Sequence, residues 1–179
     1  MFVAGLSAGA AMAVNLGVTY PELFAAVGAH SGLPYGAAHD MPSAFGAMKG
    51  SGATAGTPRP RAAPMALYAV PTIVFHGDRD NTVNARNGGA IVEQATRRRP
   101  DEQPLRAIVH EDAAPGGRTY SRTVYADAAN QSVVELWVLH GAGHAWSGGS
   151  PSGSFTDARG PDASAEMVRF FYQLRAGSA

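Results

Sequence analysis

The chain has 179 residues, 45% of them hydrophobic, no cysteine, and 14 basic residues balanced by 14 acidic ones for a formal charge of zero. That length suits one domain with a sizeable core, and the lack of cysteine rules out disulfides and thiolate metal sites. Zero net charge leaves no footprint for nucleic acid or an anionic membrane surface, and no apolar run is long enough to insert across a bilayer.

Phe2-Val3-Ala4 reads as the end of a buried strand, and Gly5-Leu6-Ser7-Ala8-Gly9 follows it with the G-x-S-x-G pattern of a nucleophile elbow. A serine on so sharp a strand-to-helix turn needs small neighbours two positions away, and Gly5 and Gly9 are expected to supply that room. Ala10 to Tyr20 reads as a buried helix that stops before Pro21. Upstream of the elbow there is neither the charged start nor the apolar core of a signal peptide.

Leu23 to Ala29 is predicted as a second buried strand, closing at the turn-rich His30-Ser31-Gly32-Leu33-Pro34-Tyr35-Gly36. From His39 to about Ala66, Gly, Pro, Ser, Thr and Ala dominate, which predicts a surface excursion with one or two short helices. Pro71 to Phe75 is the next strand, ending at His76-Gly77-Asp78-Arg79-Asp80, and a helix follows over Ala85 to Arg98 with Ala90, Ile91, Gln94 and Ala95 facing a sheet. Arg97-Arg98-Arg99 reads as a solvated loop. Arg118 to Asp127 and Val133 to Leu139 are predicted as strands joined in a hairpin across Ala128 to Gln131. A Gly-rich loop with His140 and His144 comes next, and Pro161-Asp162-Ala163-Ser164 opens a last helix with Ala165, Val168, Phe171 and Tyr172 as its apolar stripe.

Alternating strands and helices predict a mostly parallel sheet with helices on both faces, and such sheets collect working groups at the carboxyl ends of their strands. Three strand ends carry Ser, Asp and His in that order. A serine hydroxyl is a weak nucleophile at neutral pH and needs a base within hydrogen-bond reach. His144 is the favoured base for Ser7, with His140 the weaker contender because it closes a strand. Of the two carboxylates that could hold the imidazole, Asp80 is favoured and Asp78 is expected to cap its own turn through backbone N–H groups. Asp78 and Asp80 lack the further ligands of a calcium loop, so neither a metal nor a cofactor is expected. The Ala8 N–H, at the start of the helix, is the expected oxyanion donor. Tyr35 and Trp146 are candidates for lining a substrate pocket, with core packing the alternative for each.

These residues resemble the esterase family of poly(3-hydroxybutyrate) depolymerases and the related feruloyl and acetylxylan esterases. The resemblance rests on Gly5 to Met12, Ser31 to Gly36, Asp80 to Asn84, Gly143 to Gly149, Phe155 to Asp157 and Gly160 to Ser164. It implies an α/β-hydrolase fold, a serine esterase acting through Ser7, Asp80 and His144 on a small or polymeric ester, and an extracellular or periplasmic location. A serine peptidase on the same scaffold would carry the same triad. Ala37-Ala38 stands where a Cys is expected. Family members begin with further strands and a loop that completes the oxyanion hole, so residues 1–179 are expected to form the C-terminal part of one catalytic domain. The isolated chain is then expected to be a poor catalyst, or a partner-dependent fragment that self-associates through an exposed sheet edge.

Overall fold

In a computed structural model, residues 1–51, 70–97 and 103–176 are described. The centre of the predicted excursion, together with Arg98 and Arg99, lies outside them. Six strands form one sheet in the order β1 (Phe2–Leu6), β2 (Ala26–His30), β3 (Thr72–Gly77), β6 (Ser132–Leu139), β5 (Thr119–Ala126), β4 (Arg106–Ala113). The β1–β2, β2–β3 and β3–β6 pairs are parallel, and β5 and β4 continue the sheet antiparallel, β5 and β6 forming the predicted hairpin. A two-stranded ribbon pairs β7 (Trp146–Ser147) with β8 (Thr156–Asp157).

Helices cover both faces. On one, Ala10, Ala13 and Val14 of α1 (Ala8–Thr19) and Ile91, Val92 and Ala95 of α3 (Arg86–Ala95) pack on Val27, Ala29, Val74 and Val134. On the other, Ala163, Met167, Phe170 and Phe171 of α4 (Ala163–Ala176) pack on Ala26, Ile73, Phe75 and Trp137. With both faces covered, β2 and β3 are buried along their whole length, as parallel strands require. A short helix, α2 (Met41–Met48), starts with a capping box between Asp40 and Ser43 and is tied to α3 by Asn87 Nδ2 donating to the Ala47 carbonyl at 2.9 Å.

Several expectations shift. β2 begins at Ala26 because Leu23 and Phe24 lie in the turn after α1 and bond back to Tyr20. The helix α1 buries only the stripe Ala10, Ala13, Val14 and Gly17 and leaves Met12 exposed. Of the stripe predicted for α4, Phe171 is buried but Val168 and Tyr172 are exposed, and Met167 takes the contact because Gly28 leaves a notch, a Cβ there coming within 2.7 Å of the Met167 sulfur. In α3, Ile91 and Ala95 are buried as predicted, together with Asn87, Gly88 and Val92, while Ala90 and Gln94 are only half-buried. The strand β4 is absent from the sequence reading. Nearly all its residues are exposed, so no apolar alternation marks it.

One charge is buried within the sheet. Glu135 in β6 is fully buried and accepts hydrogen bonds from Arg122 Nε (3.0 Å) and Nη2 (2.9 Å), Arg169 Nη2 (2.7 Å), Trp137 Nε1 (3.0 Å) and Ser132 Oγ (3.1 Å). Burial alone would raise its pKa, but the two guanidiniums hold it below the usual carboxylate range. This network ties β5, β6 and α4 together.

Candidate active site

Ser7 follows β1, Asp80 follows β3 and His144 follows β6, all at the carboxyl ends of parallel strands. Ser7 has φ 57° and ψ −118°, a strained left-handed conformation for a residue with a Cβ. Its side chain makes no capping bond to the helix it precedes. Gly5 makes the turn sterically possible: a Cβ there would lie 2.4 Å from the Gly9 carbonyl carbon. Gly9 plays a different part from the one expected, since a Cβ at Gly9 meets nothing within 4 Å. The crowding therefore falls on the strand side, where Gly5 faces the Gly9 backbone. Ala8 is the first residue of α1, so its N–H has no acceptor within the helix and sits at the positive end of the dipole.

Asp80 is held from three sides. One carboxylate oxygen accepts the N–H groups of Thr82 (2.9 Å) and Val83 (2.8 Å), and the other lies 2.7 Å from His144 Nδ1. The Asp80 side chain is fully buried and that of His144 nearly so. Burial works to raise the Asp80 pKa, but the His144 hydrogen bond and the two backbone N–H groups outweigh it and leave the carboxyl below its usual range. An ionised carboxylate only accepts, so His144 Nδ1 carries the proton and, in the neutral ring, Nε2 is a bare acceptor. Behind the pair, His76 Nε2 donates to the Val83 carbonyl at 2.8 Å and lies 3.6 Å from Asp80 Oδ2, while burial keeps His76 neutral.

Three strand spacings, about 14 Å, separate β1 from β6, so the loop after β6 must cross β3 and β2 to approach Ser7. His30, at the end of β2, is where it lands. The His30 carbonyl accepts the Ser7 N–H at 2.9 Å, and its Nε2 accepts the Ser147 N–H at 3.0 Å. Because Nε2 accepts, the ring proton sits on Nδ1, 3.2 Å from Ser31 Oγ. The ring is completely buried, stacked on Phe75 and Trp146. Burial, reinforced by nearby His76 and His144, drives its pKa down to about 3, so it stays neutral. The sequence reading put His30 in a turn and gave it no role; the available signal was a histidine ending the apolar run Ala-Val-Gly-Ala.

Trp146 stacks on His30 and donates from Nε1 to Ser164 Oγ at 3.2 Å. Tyr35 packs against the α1/α3 side of the core, its backbone N–H and carbonyl both bonded to the Gln94 amide. Asp78 does not cap its own turn. It reaches the other loop, accepting the Gly141 N–H at 2.7 Å and facing His140 Nδ1 at 3.2 Å. No group of three or more His, Cys, Asp or Glu suited to a metal ion occurs among the described residues.

A family model described as Esterase PHB depolymerase matches residues 1–100, a span that holds Ser7 and Asp80. The chain belongs to this PHB depolymerase esterase family. Within it, a poly(3-hydroxyalkanoate) depolymerase C from Paucimonas lemoignei is 28% identical over 159 residues, covering 80% of this chain and 34% of that protein. Two solved structures share the fold: a PHB depolymerase variant complexed with an R3HB trimer (TM-score 0.61, 17% identity, 96% of this chain and 50% of that one) and the PHB depolymerase of Penicillium funiculosum (TM-score 0.61, 18% identity, 96% and 51%). The chain thus spans about a third of the depolymerase C and about half of each solved relative. No helix among the described residues is long and apolar enough to cross a membrane.

Proposed function

We propose that this chain carries the catalytic residues of a serine esterase acting on short-chain hydroxyalkanoate polyesters. Ser7 Oγ attacks the ester carbonyl while His144 Nε2 takes its proton, and Asp80 fixes the imidazole tautomer and stabilises the imidazolium as it forms. The developing oxyanion receives the Ala8 N–H, strengthened by the α1 dipole. His144 then returns the proton to the leaving alkoxide, and water repeats the sequence on the acyl-enzyme to release a hydroxyacid. The supporting observation is the 2.7 Å Asp80–His144 pair, on a loop that docks at His30, the residue whose carbonyl holds the Ser7 N–H.

Trp146, beside His30, is assigned to the substrate wall near the reacting centre. Tyr35, packed on the α1/α3 side of the core and bonded to Gln94, takes the core-packing alternative instead. Action outside the cytoplasm belongs to the same proposal and follows from family membership alone. The test compares hydrolysis of nitrophenyl butyrate and of 3-hydroxybutyrate oligomers with that of a matched nitroanilide. Ester turnover that disappears in Ser7→Ala is expected; ester turnover unchanged by Ser7→Ala would sink the assignment, and preference for the anilide would favour a peptidase.

A further inference from the structure

Two Asp–His couples, side by side, bridge the loop after β3 to the loop after β6. The inner one is Asp80–His144. The outer one is Asp78–His140, half exposed on both sides, and the proposed mechanism has no use for it. Asp78 Oδ1 accepts the Gly141 N–H at 2.7 Å, and its Oδ2 faces His140 Nδ1 at 3.2 Å. His140 is held from two further directions, with Nε2 2.7 Å from Ser121 Oγ on β5 and its carbonyl accepting from Arg118 Nη1 at 2.6 Å.

We propose that Asp78 and His140 are positioning residues that set the path of the loop delivering His144 to the reacting centre. From the end of β6 at Leu139 to His144 the chain includes Gly141 and Gly143, and Gly141 sits at φ 70°. So flexible a segment has many paths unless its backbone is tied. Arg118 and β5 hold its start, through the His140 carbonyl and N–H, and the ties further along come from the β3 loop. Arg79 N–H donates to the Ala142 carbonyl at 3.0 Å, Gly77 lies so close to that carbonyl that a Cβ would fall 2.4 Å from it, and Asp78 takes the Gly141 N–H. Of the ties from the β3 loop, only that of Asp78 depends on a side chain. An exposed ion pair adds little to global stability, so its effect is local: it fixes where His144 starts, and a catalytic group displaced by about 1 Å loses up to about 10²-fold in rate.

The inference rests on His144 being the base, and its test separates the two claims. Asp78→Ala, Asp78→Asn and Ser7→Ala are made in the full chain and compared by ester kinetics, thermal melting and the proton NMR signal of His144 Nδ1–H, identified by its loss in His144→Gln. Asp78→Ala is expected to lower kcat by about 10- to 100-fold with KM and melting temperature little changed. It is also expected to speed solvent exchange of the His144 proton. Asp78→Asn keeps an oxygen acceptor for Gly141 and is expected to recover most of the kcat. Wild-type kcat and an unchanged His144 signal in Asp78→Ala would overturn the positioning role, as would an effect on KM alone. Hydrolysis that survives Ser7→Ala would overturn the esterase reading instead, while the His144 signal still decides the tie. If Asp78→Ala does not fold, His140→Gln is judged by the same readings.

Discussion

Lowering the pH should unfold this chain through His30. In the folded state the ring is neutral, with its pKa pushed down to about 3, while the free side chain titrates near 6.5. Between those values the unfolded chain binds a proton that the folded chain refuses, so stability rises with pH and is lost on acidification. The loss is about 1.4 kcal/mol per pH unit, hence about 2 kcal/mol from pH 6.5 to 5 and about 5 kcal/mol across the whole window. Domains of this kind are stable by about 5–15 kcal/mol in total, so the single histidine can take a large share. His76 shifts in the same direction, and the ionised Asp80, Glu135 and Asp157 lose their stabilising contribution only as the pH falls through their lowered folded values. These groups are common to wild type and a His30→Gln variant, in which the amide oxygen can still accept the Ser147 N–H. Urea unfolding of both proteins from pH 7 to 4.5 isolates the His30 contribution as a difference in slope. His30→Gln is expected to start less stable, having lost the stacking on Phe75 and Trp146, and to fall more gently with acid. Parallel stability–pH lines for the two proteins would show that His30 titrates normally and that the burial reasoning is wrong.

Gly5→Ala and Gly9→Ala should differ sharply although both glycines belong to the same motif. The first drives a methyl into the Gly9 backbone at 2.4 Å and should cost about 3 kcal/mol or more by calorimetry, while the second meets nothing and should stabilise the first turn of α1 by a few tenths to about 1 kcal/mol. Asp80→Asn should lower the melting temperature, because the buried ionised carboxylate stabilises the fold, and, on the proposed mechanism, should lower kcat by on the order of 10⁴-fold, because the amide no longer fixes the tautomer of His144. Glu135→Gln leaves two guanidiniums facing a neutral group and should destabilise by about 3 kcal/mol in urea. That is the low end for a buried pair because the Arg122 and Arg169 side chains stay 27% and 28% exposed.

The parts of the site legible in the sequence are those set by neighbouring residues. The strand–serine–helix signal around Ser7 needs only the short-range pattern of apolar residues and glycine, but the local backbone N–H groups expected at Asp78 go to Asp80 instead, from Thr82 and Val83, while Asp78 reaches across to Gly141. What stayed hidden depends on contacts far apart in the chain. His30 and Ser147 are 117 residues apart, and nothing near His30 announces that a loop will land on it. The α4 face was read only in part: Phe171 of the expected stripe is buried, but Ala165, Val168 and Tyr172 form a second apolar row beside Ala163, Met167 and Phe170, and the choice between rows is made by Gly28 on a distant strand. β4 was invisible for the same reason: its exposed residues acquire a sheet only by pairing with β5.

The sheet order explains why the joint had to be built at β2. The strand that bears Ser7 and the strand that precedes His144 are not neighbours, since β2 and β3 lie between them. Asp80, at the end of β3, holds His144 but is still two strands from Ser7, so the Asp80–His144 pair alone leaves its position relative to Ser7, the nucleophile of the proposed mechanism, unset. A group at the end of β2 that bonds both ways links the Ser7 turn to the loop after β6, and it must be neutral to accept an N–H on its ring while buried against Phe75. A histidine with its proton forced onto Nδ1 meets both demands, through its carbonyl towards Ser7 and its Nε2 towards Ser147. The burial that makes His30 sensitive to acid is therefore the same burial that lets it accept the Ser147 N–H, and one property cannot be removed without weakening the other.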